Sequence, residues 1–410
     1  MSVHRLAIKA LLLLLEVGWC AACSTPNTLS VEAPFARSSK TIGLSVQVDA
    51  YNNDTNTMVH ELWRVDLTKN PFELQRMLTS TTELALVDCR PFDVQCVALD
   101  SDVREVSQLR RWQVTPAQWE EITPTQSIQG FPGSILASSP QGTWLVGSGG
   151  PGTLSLSFQA YGQSSLITMT QYPYAACLGP KQLSPAGGYL ALGCWEMDRY
   201  PERGVYPAPV KQYYRLIRTD NTGEYTLTLP ATYFFYKGYY GRQAIPPEPP
   251  DFAWSPDGTE LAFNAAFSPP MTVTTGETPQ PNGAVSYQWF GGIYSISLQN
   301  KTISKWAKVG GGSVPLAWSP DGQEIAYSTG RIVYVVSRDG RRRQIGSLDL
   351  DFTKSLLWSP DGAYLVVQGI DEKIDYDMQL WVIPLADGVW RKLDLPGEVK
   401  DMRWVTLNAP

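Results

Sequence analysis

The chain has 410 residues, 43% hydrophobic and 11% aromatic, which is enough for a large core and for repeat architectures that run long as one unit. A net charge of −6 argues against a nucleic-acid partner, which needs a concentrated basic surface. Only two histidines, His4 and His60, are present, which disfavours His-rich metal sites and His-dependent triads.

The first 22 residues look like a targeting segment. His4, Arg5 and Lys9 make a basic start, and the apolar run over 10–15 is too short to span a bilayer. Cys20-Ala21-Ala22-Cys23-Ser24 then places two small residues before a cysteine. This resembles the lipobox of bacterial lipoproteins, with Cys20 where that family usually has Leu. The resemblance implies that Cys23 is acylated and that the protein is extracytoplasmic, held to the cell envelope by a lipid anchor alone. Ordinary secretion after Ala21-Ala22 is the alternative. Residues 23–40, rich in Ser, Thr and Pro, are expected to form a tether, and 41–410 the folded domain.

Alternation of apolar and polar residues predicts a strand over 41–49. Aromatic or β-branched hairpins are then expected at 62–78, 111–122, 154–167, 213–229, 293–303, 333–345 and 380–393. Between them lies a second set of hairpins, three built on one phrase: Trp254-Ser255-Pro256-Asp257-Gly258, Trp318-Ser319-Pro320-Asp321-Gly322 and Trp358-Ser359-Pro360-Asp361-Gly362. Weaker copies stand at Ser139-Pro140-Gln141-Gly142 and Ser184-Pro185-Ala186-Gly187. A Ser-Pro-Asp-Gly tetrad suits a type I turn, with Pro setting φ at its second position. A sixth copy, 84–100, replaces the turn with the segment between Cys89 and Cys96. The seventh is split between 402–405 and the strand over 41–49, so the two ends are expected to pair and close a ring. The expected fold is an all-β, seven-bladed propeller of four-stranded antiparallel blades.

Trp-Ser-Pro-Asp-Gly at hairpin turns resembles the WD40-like repeats of the TolB propeller and of many bacterial envelope propellers. The resemblance is to the repeat and not to TolB as a whole, which carries a separate α/β domain ahead of its propeller. It implies a fold and leaves function open.

Successive turn prolines, Pro140, Pro185, Pro256, Pro320 and Pro360, are unevenly spaced, and insertions are expected at 196–211, 230–251 and 264–292. In a meander of four strands, all three leave the edge opposite the Ser-Pro turns, and long loops are often functional. Tyr233, Tyr236, Tyr239, Tyr240, Tyr287 and Trp289 lie within them and are the candidate ligand-binding residues. The bland alternative is that they pack on one another.

Four cysteines remain once Cys20 is removed with the leader and Cys23 is acylated. If Ser184 opposes Gly187, Cys177 falls opposite Cys194, within disulfide reach, and a second bridge could join Cys89 to Cys96. The turn residues Asp257, Asp321 and Asp361 are explained by turn chemistry, so no metal is assigned to them. Asp371, Glu372, Asp375 and Asp377 crowd one inter-hairpin loop and are weak Ca²⁺ candidates against a solvated acidic loop. No cofactor is expected, and no Gly-x-Ser-x-Gly motif occurs. The expectation is therefore a binding protein for a protein, peptide or glycan, the alternative being a carbohydrate-active enzyme with two carboxylates in a central funnel.

Overall fold

The computed structural model describes residues 42–81, 83–89, 96–101, 107–114, 119–128, 133–139, 142–150, 153–160, 167–173, 181–185, 187–197, 209–218, 223–229, 251–267, 290–310, 314–329, 331–347, 352–371 and 375–406. Among the described residues there are strands and turns, and no helix long and apolar enough to cross a membrane.

In chain order the strands are β1 (Ile42–Asn52), β2 (Thr57–Asp66) and β3 (Glu73–Ser80), followed by β4 (Glu83–Cys89), β5 (Cys96–Ser101), β6 (Ser107–Val114) and β7 (Trp119–Ile128). Next come β8 (Gly133–Ser139), β9 (Gly142–Gly150), β10 (Thr153–Ala160) and β11 (Ile167–Pro173). They lead into β12 (Lys181–Leu183), β13 (Tyr189–Met197), β14 (Pro209–Arg218) and β15 (Glu224–Leu229). The next two groups are β16 (Phe252–Trp254), β17 (Glu260–Phe267), β18 (Phe290–Ser297) and β19 (Ile303–Gly310), then β20 (Leu316–Trp318), β21 (Glu324–Thr329), β22 (Ile332–Ser337) and β23 (Arg342–Ser347). The last are β24 (Phe352–Trp358), β25 (Tyr364–Asp371), β26 (Asp375–Pro384), β27 (Arg391–Lys392) and β28 (Glu398–Thr406).

Among the described residues these strands make seven four-stranded sheets, six of them formed by consecutive strands. The first has the order β28-β1-β2-β3. All pairings are antiparallel, and the molecule is all-β, consistent with a propeller. Each expected hairpin corresponds to a strand pair. The insertions expected at 196–211 and 264–292 start later and end earlier, because Glu196 pairs with Lys211 and Asn264–Phe267 pair with 290–293.

Neighbouring sheets are glued face to face. One apolar cluster joins Tyr189, Tyr214 and Leu227 to Phe252, Leu261 and Phe263 of the next sheet. Others join Ile293 and Trp306 to Trp318 and Tyr327, Val333 and Val335 to Trp358 and Trp381, and Val366 and Val382 to Leu44, Val46 and Trp404. Each buried Leu, Val or Phe in these layers contributes about 1.5–3 kcal/mol of transfer free energy. Arg338 adds a polar tie: its guanidinium lies 5.0 Å from the Trp306 ring and 5.5 Å from the Trp318 ring, and bonds Glu260 at 3.1 Å.

The repeated turn is held by one serine. Ser255 O accepts from the Gly258 amide at 2.9 Å, which is the expected type I geometry. The Ser255 amide donates to Glu260 O, and its buried hydroxyl oxygen accepts from the Glu260 amide at 2.8 Å and donates to Asp257 Oδ1 at 2.6 Å. The hydroxyls of Ser319 and Ser359 make the same pairs of bonds, with Glu324 and Asp321 and with Tyr364 and Asp361. Gly258 has φ 68°, a left-handed value that a side chain would strain.

This geometry corrects one expected register. The Gly187 amide donates to Ser184 O at 2.8 Å, the expected type I bond, but the ladder closes on Tyr189: the Ser184 amide donates to Tyr189 O at 2.8 Å and its hydroxyl accepts from the Tyr189 amide at 3.0 Å. Leu183 accordingly faces Leu190 and Lys181 faces Leu192, two residues beyond the register first assigned. The serine hydroxyl does the work of one more rung of ladder, lengthening the turn without changing which side of the sheet each residue faces.

Candidate functional site

The aromatic candidates Tyr233, Tyr236, Tyr239, Tyr240, Tyr287 and Trp289 lie outside the described residues, as do Cys23, Cys177 and Glu372. Cys194 is disulfide-bonded and buried. Cys89 and Cys96 are direct partners across β4 and β5. Asp371 and Asp375 are partners at the end of the β25–β26 ladder, with Asp377 two residues further along β26. Among the described residues no group of three or more His, Cys, Asp or Glu is placed to hold a metal ion.

Successive turns of a meander alternate between its two edges. The Ser-Pro turns occupy one edge, and the ends of β13, β15 and β17, where the insertions begin, lie at the other. The β1–β2 turn is on that second edge, and there the described residues bring together a polar group. Asp49 on β1 is opposed on one side by His60 on β2 and on the other by Glu398 on β28. His60 Nδ1 lies 2.7 Å from Asp49 Oδ1. A carboxylate oxygen accepts, so the pair is made with Nδ1 as the donor.

Two carboxylates facing each other across a ladder repel. A bulge resolves the conflict. Gln47 pairs with Asp401 and Val48 with Val399, so Lys400 is the extra residue of β28. Its ammonium lies 3.7 Å from Asp49 Oδ2 and bonds Glu398 Oε2. Gly397 precedes this row; a Cβ there would run into Asp49 O and sit 2.9 Å from Ala50 Cα, so the close approach of the two backbones requires glycine.

The same side of the sheet continues inward through Gln47 and Asp401 to Ser45 and Arg403, while Leu44, Val46, Val48, Val399, Met402 and Trp404 line the apolar side. Burial raises the Asp401 carboxyl above the usual range, against the pull of Arg403 at 2.7 Å and a bond from the Met402 amide. Continuing outward, the next rung pairs Tyr51 with Met58. Both are exposed, at 53% and 48%, and the only other large exposed hydrophobic side chain among the described residues is Val389. The Tyr51 hydroxyl donates to Asn56 Oδ1 at 2.5 Å, and Asn52 Oδ1 accepts from the amides of Asp54 and Thr55, which stiffens the turn.

Sequence reasoning missed this row. The alternation of Ser45, Gln47 and Asp49 with Leu44, Val46 and Val48 was a signal for a polar side of β1, and the hairpin it begins brings Asp49 to His60. The bulge that adds Lys400 had no signal.

The architecture defines the class: at the level of fold this is a β-propeller protein. No protein-family model matches the chain, and no curated protein matches it. Solved structures do. A candidate 6-phosphogluconolactonase from Bacteroides fragilis NCTC 9343 superposes with a TM-score of 0.52 at 12% identity, covering 91% of this chain and 100% of that one. A second, from Bacteroides uniformis ATCC 8492, gives 0.51 at 12% identity over 88% and 99%. TolB from Acinetobacter baumannii gives 0.41 at 13% identity over 88% and 82%. Likeness at such identity concerns the fold alone.

Proposed function

We propose that the protein is a non-catalytic propeller of the bacterial envelope that captures a protein, peptide or glycan on the edge bearing the insertions. The seven sheets are taken as seven blades, and the β28–β1 pairing as the seam that closes the ring. The observation that carries the functional reading is the shared edge. The insertions leave from the same kind of strand end as the one where the Asp49–His60–Glu398 row and the exposed Tyr51–Met58 pair stand, while among the described residues the other edge carries the Ser-Pro turns and, of the large exposed hydrophobics, Val389. A photo-crosslinking residue at position 58 is expected to trap a ligand in cells that secrete the protein, and one at position 389 is not. Equal trapping at both positions, or trapping only at 389, refutes the reading.

Attachment is part of the proposal. With Cys23 acylated, the wild type partitions into the detergent phase and Cys23→Ser is released to the aqueous phase; a wild type that stays aqueous refutes the anchor.

A second reading, a carbohydrate-active enzyme, draws on the raised Asp401 carboxyl, the kind of shift that suits a general acid, with Asp49 and Glu398 on the same side of the sheet. Hydrolysis of a neutral glycoside that Asp401→Asn abolishes favours it. Absence of turnover across α- and β-linked substrates favours binding alone.

A further inference from the structure

We infer that the strip running from Tyr51 and Met58 through Asp49 and His60 to Lys400 and Glu398 is a binding site for an uncharged saccharide. The inference rests on the reading that the insertion edge is the binding edge, and it names the ligand class.

The strip has two kinds of surface in register. Its outer rung is an aromatic ring beside a thioether, exposed and held by the Tyr51–Asn56 bond. Its inner rung is a set of fixed polar groups: the imidazole held by Asp49, and the Lys400 ammonium between the carboxylates of Asp49 and Glu398. Lys400 is 38% exposed and Glu398 35%, so donor and acceptor are both open to a ligand.

Charge decides between ligand classes. Two carboxylates against one ammonium leave the row without net positive charge whichever form the imidazole takes, so phosphate, sulfate or uronate groups meet no excess counter-charge. A cation is disfavoured as well, because Lys400 already occupies the position between the carboxylates. An uncharged ligand remains, one that offers adjacent donors and acceptors to the Lys400–Glu398 pair and an apolar face to Tyr51. A sugar ring has both: vicinal hydroxyls on its rim and a patch of C–H groups on its face. A rigid tyrosine supplies such contact at low entropic cost.

The test uses the full secreted chain and two neutral probes, a β-1,4-linked N-acetylglucosamine tetrasaccharide and maltotetraose, with tetragalacturonate as the anionic control. Saturation-transfer difference NMR is expected to show transfer to ring C–H protons of at least one neutral probe. Tyr51→Ala is expected to weaken that probe about tenfold, the scale of a lost aromatic contact. Glu398→Gln, which keeps the shape of the row, is expected to weaken it too, and Val389→Ser on the opposite edge to leave it unchanged. Thermal melts matched to the wild type establish that each variant is folded.

No transfer to either neutral probe, equal binding by Tyr51→Ala, or tighter binding of the anionic control overturns the inference. Those failures are separable from failure of the broader reading: trapping at position 58 with no saccharide binding keeps the binding edge and discards the sugar. Saccharide binding that ignores Tyr51 but is lost when a Gly-Ser link replaces 268–289 has the same consequence.

Discussion

The indole N–H of Trp318 donates to the main-chain oxygen of Ala253, in the neighbouring sheet, at 3.0 Å. Trp254 repeats the relation one sheet earlier, with Gln182 O at 3.4 Å. In both, the acceptor lies two residues before the serine of the preceding turn, so the repeat that makes a hairpin also supplies the stitch between hairpins. The Trp358 and Trp404 rings occupy corresponding places in their clusters, but their indole nitrogens are buried with no partner in the structure.

That difference predicts unequal costs. Trp318→Phe keeps most of the ring and loses the bond, leaving Ala253 O short of a donor, so a loss of about 1 kcal/mol is expected in urea unfolding. Trp358→Phe loses the same ring volume but no bond, so it is expected to cost less than Trp318→Phe by about 1 kcal/mol. Equal losses would show that ring volume, not the bond, sets the value.

One turn aspartate, Asp257, predicts a response to acid. Burial works against ionised Asp257, but the Ser255 hydroxyl and the Thr259 amide and hydroxyl outweigh it, and its pKa is lowered from the ordinary value. A lowered carboxylate pKa stabilises the fold fully above the unfolded value of about 3.9, and that contribution is lost as pH falls through the folded value. Asp257→Asn keeps the shape and loses the charge. Its stability deficit is expected to be present at pH 7 and to shrink below about pH 4; a deficit that is constant from pH 7 to pH 2 refutes the assignment.

Gly397→Ala is expected to be costly for a reason confined to one spot. The added methyl meets Asp49 O, so β1 or the loop before β28 must move, at about 1–3 kcal/mol. Because Asp49 holds His60, the ring signals of His60 in NMR should shift with it. A variant that melts like the wild type with an unchanged His60 spectrum contradicts the close approach.

The cysteines predict a peptide map. Cys194 is disulfide-bonded, and because Cys89 and Cys96 face each other, Cys177 is proposed as its partner on that ground and not on the register first assigned. A non-reduced digest should show those two peptides joined and Cys89 joined to Cys96, its partner across the ladder. Closing the segment from Cys177 to Cys194 is worth about 3 kcal/mol in chain-entropy terms. A cross-link between the two pairs would overturn both assignments.

The fold was legible because its instructions are local. Ser, Pro, Asp and Gly each act within five residues, and strand alternation has a period of two, so hairpins show in the sequence whatever surrounds them. The turn register at Ser184 was misread because the serine hydroxyl substitutes for a backbone group, which no pattern of apolar residues reports. The polar row was hidden for a different reason. Asp49, His60 and Glu398 meet only through pairing of distant strands, and Lys400 reaches them only because β28 bulges, a feature with no residue signature of its own.

The first sheet takes its fourth strand from the far end of the described chain. While the polypeptide is being made, Asp49 and His60 can already pair, but Lys400 and Glu398 arrive only after the six other sheets have been synthesised. The long-range closure is slow to form, and until then β1 presents an open edge and an unneutralised carboxylate. The strip is thus completed last, and a prematurely terminated chain lacks it. The same latch that joins the two ends of the fold would serve as a check on completion, keeping ligand from being engaged by an unfinished molecule.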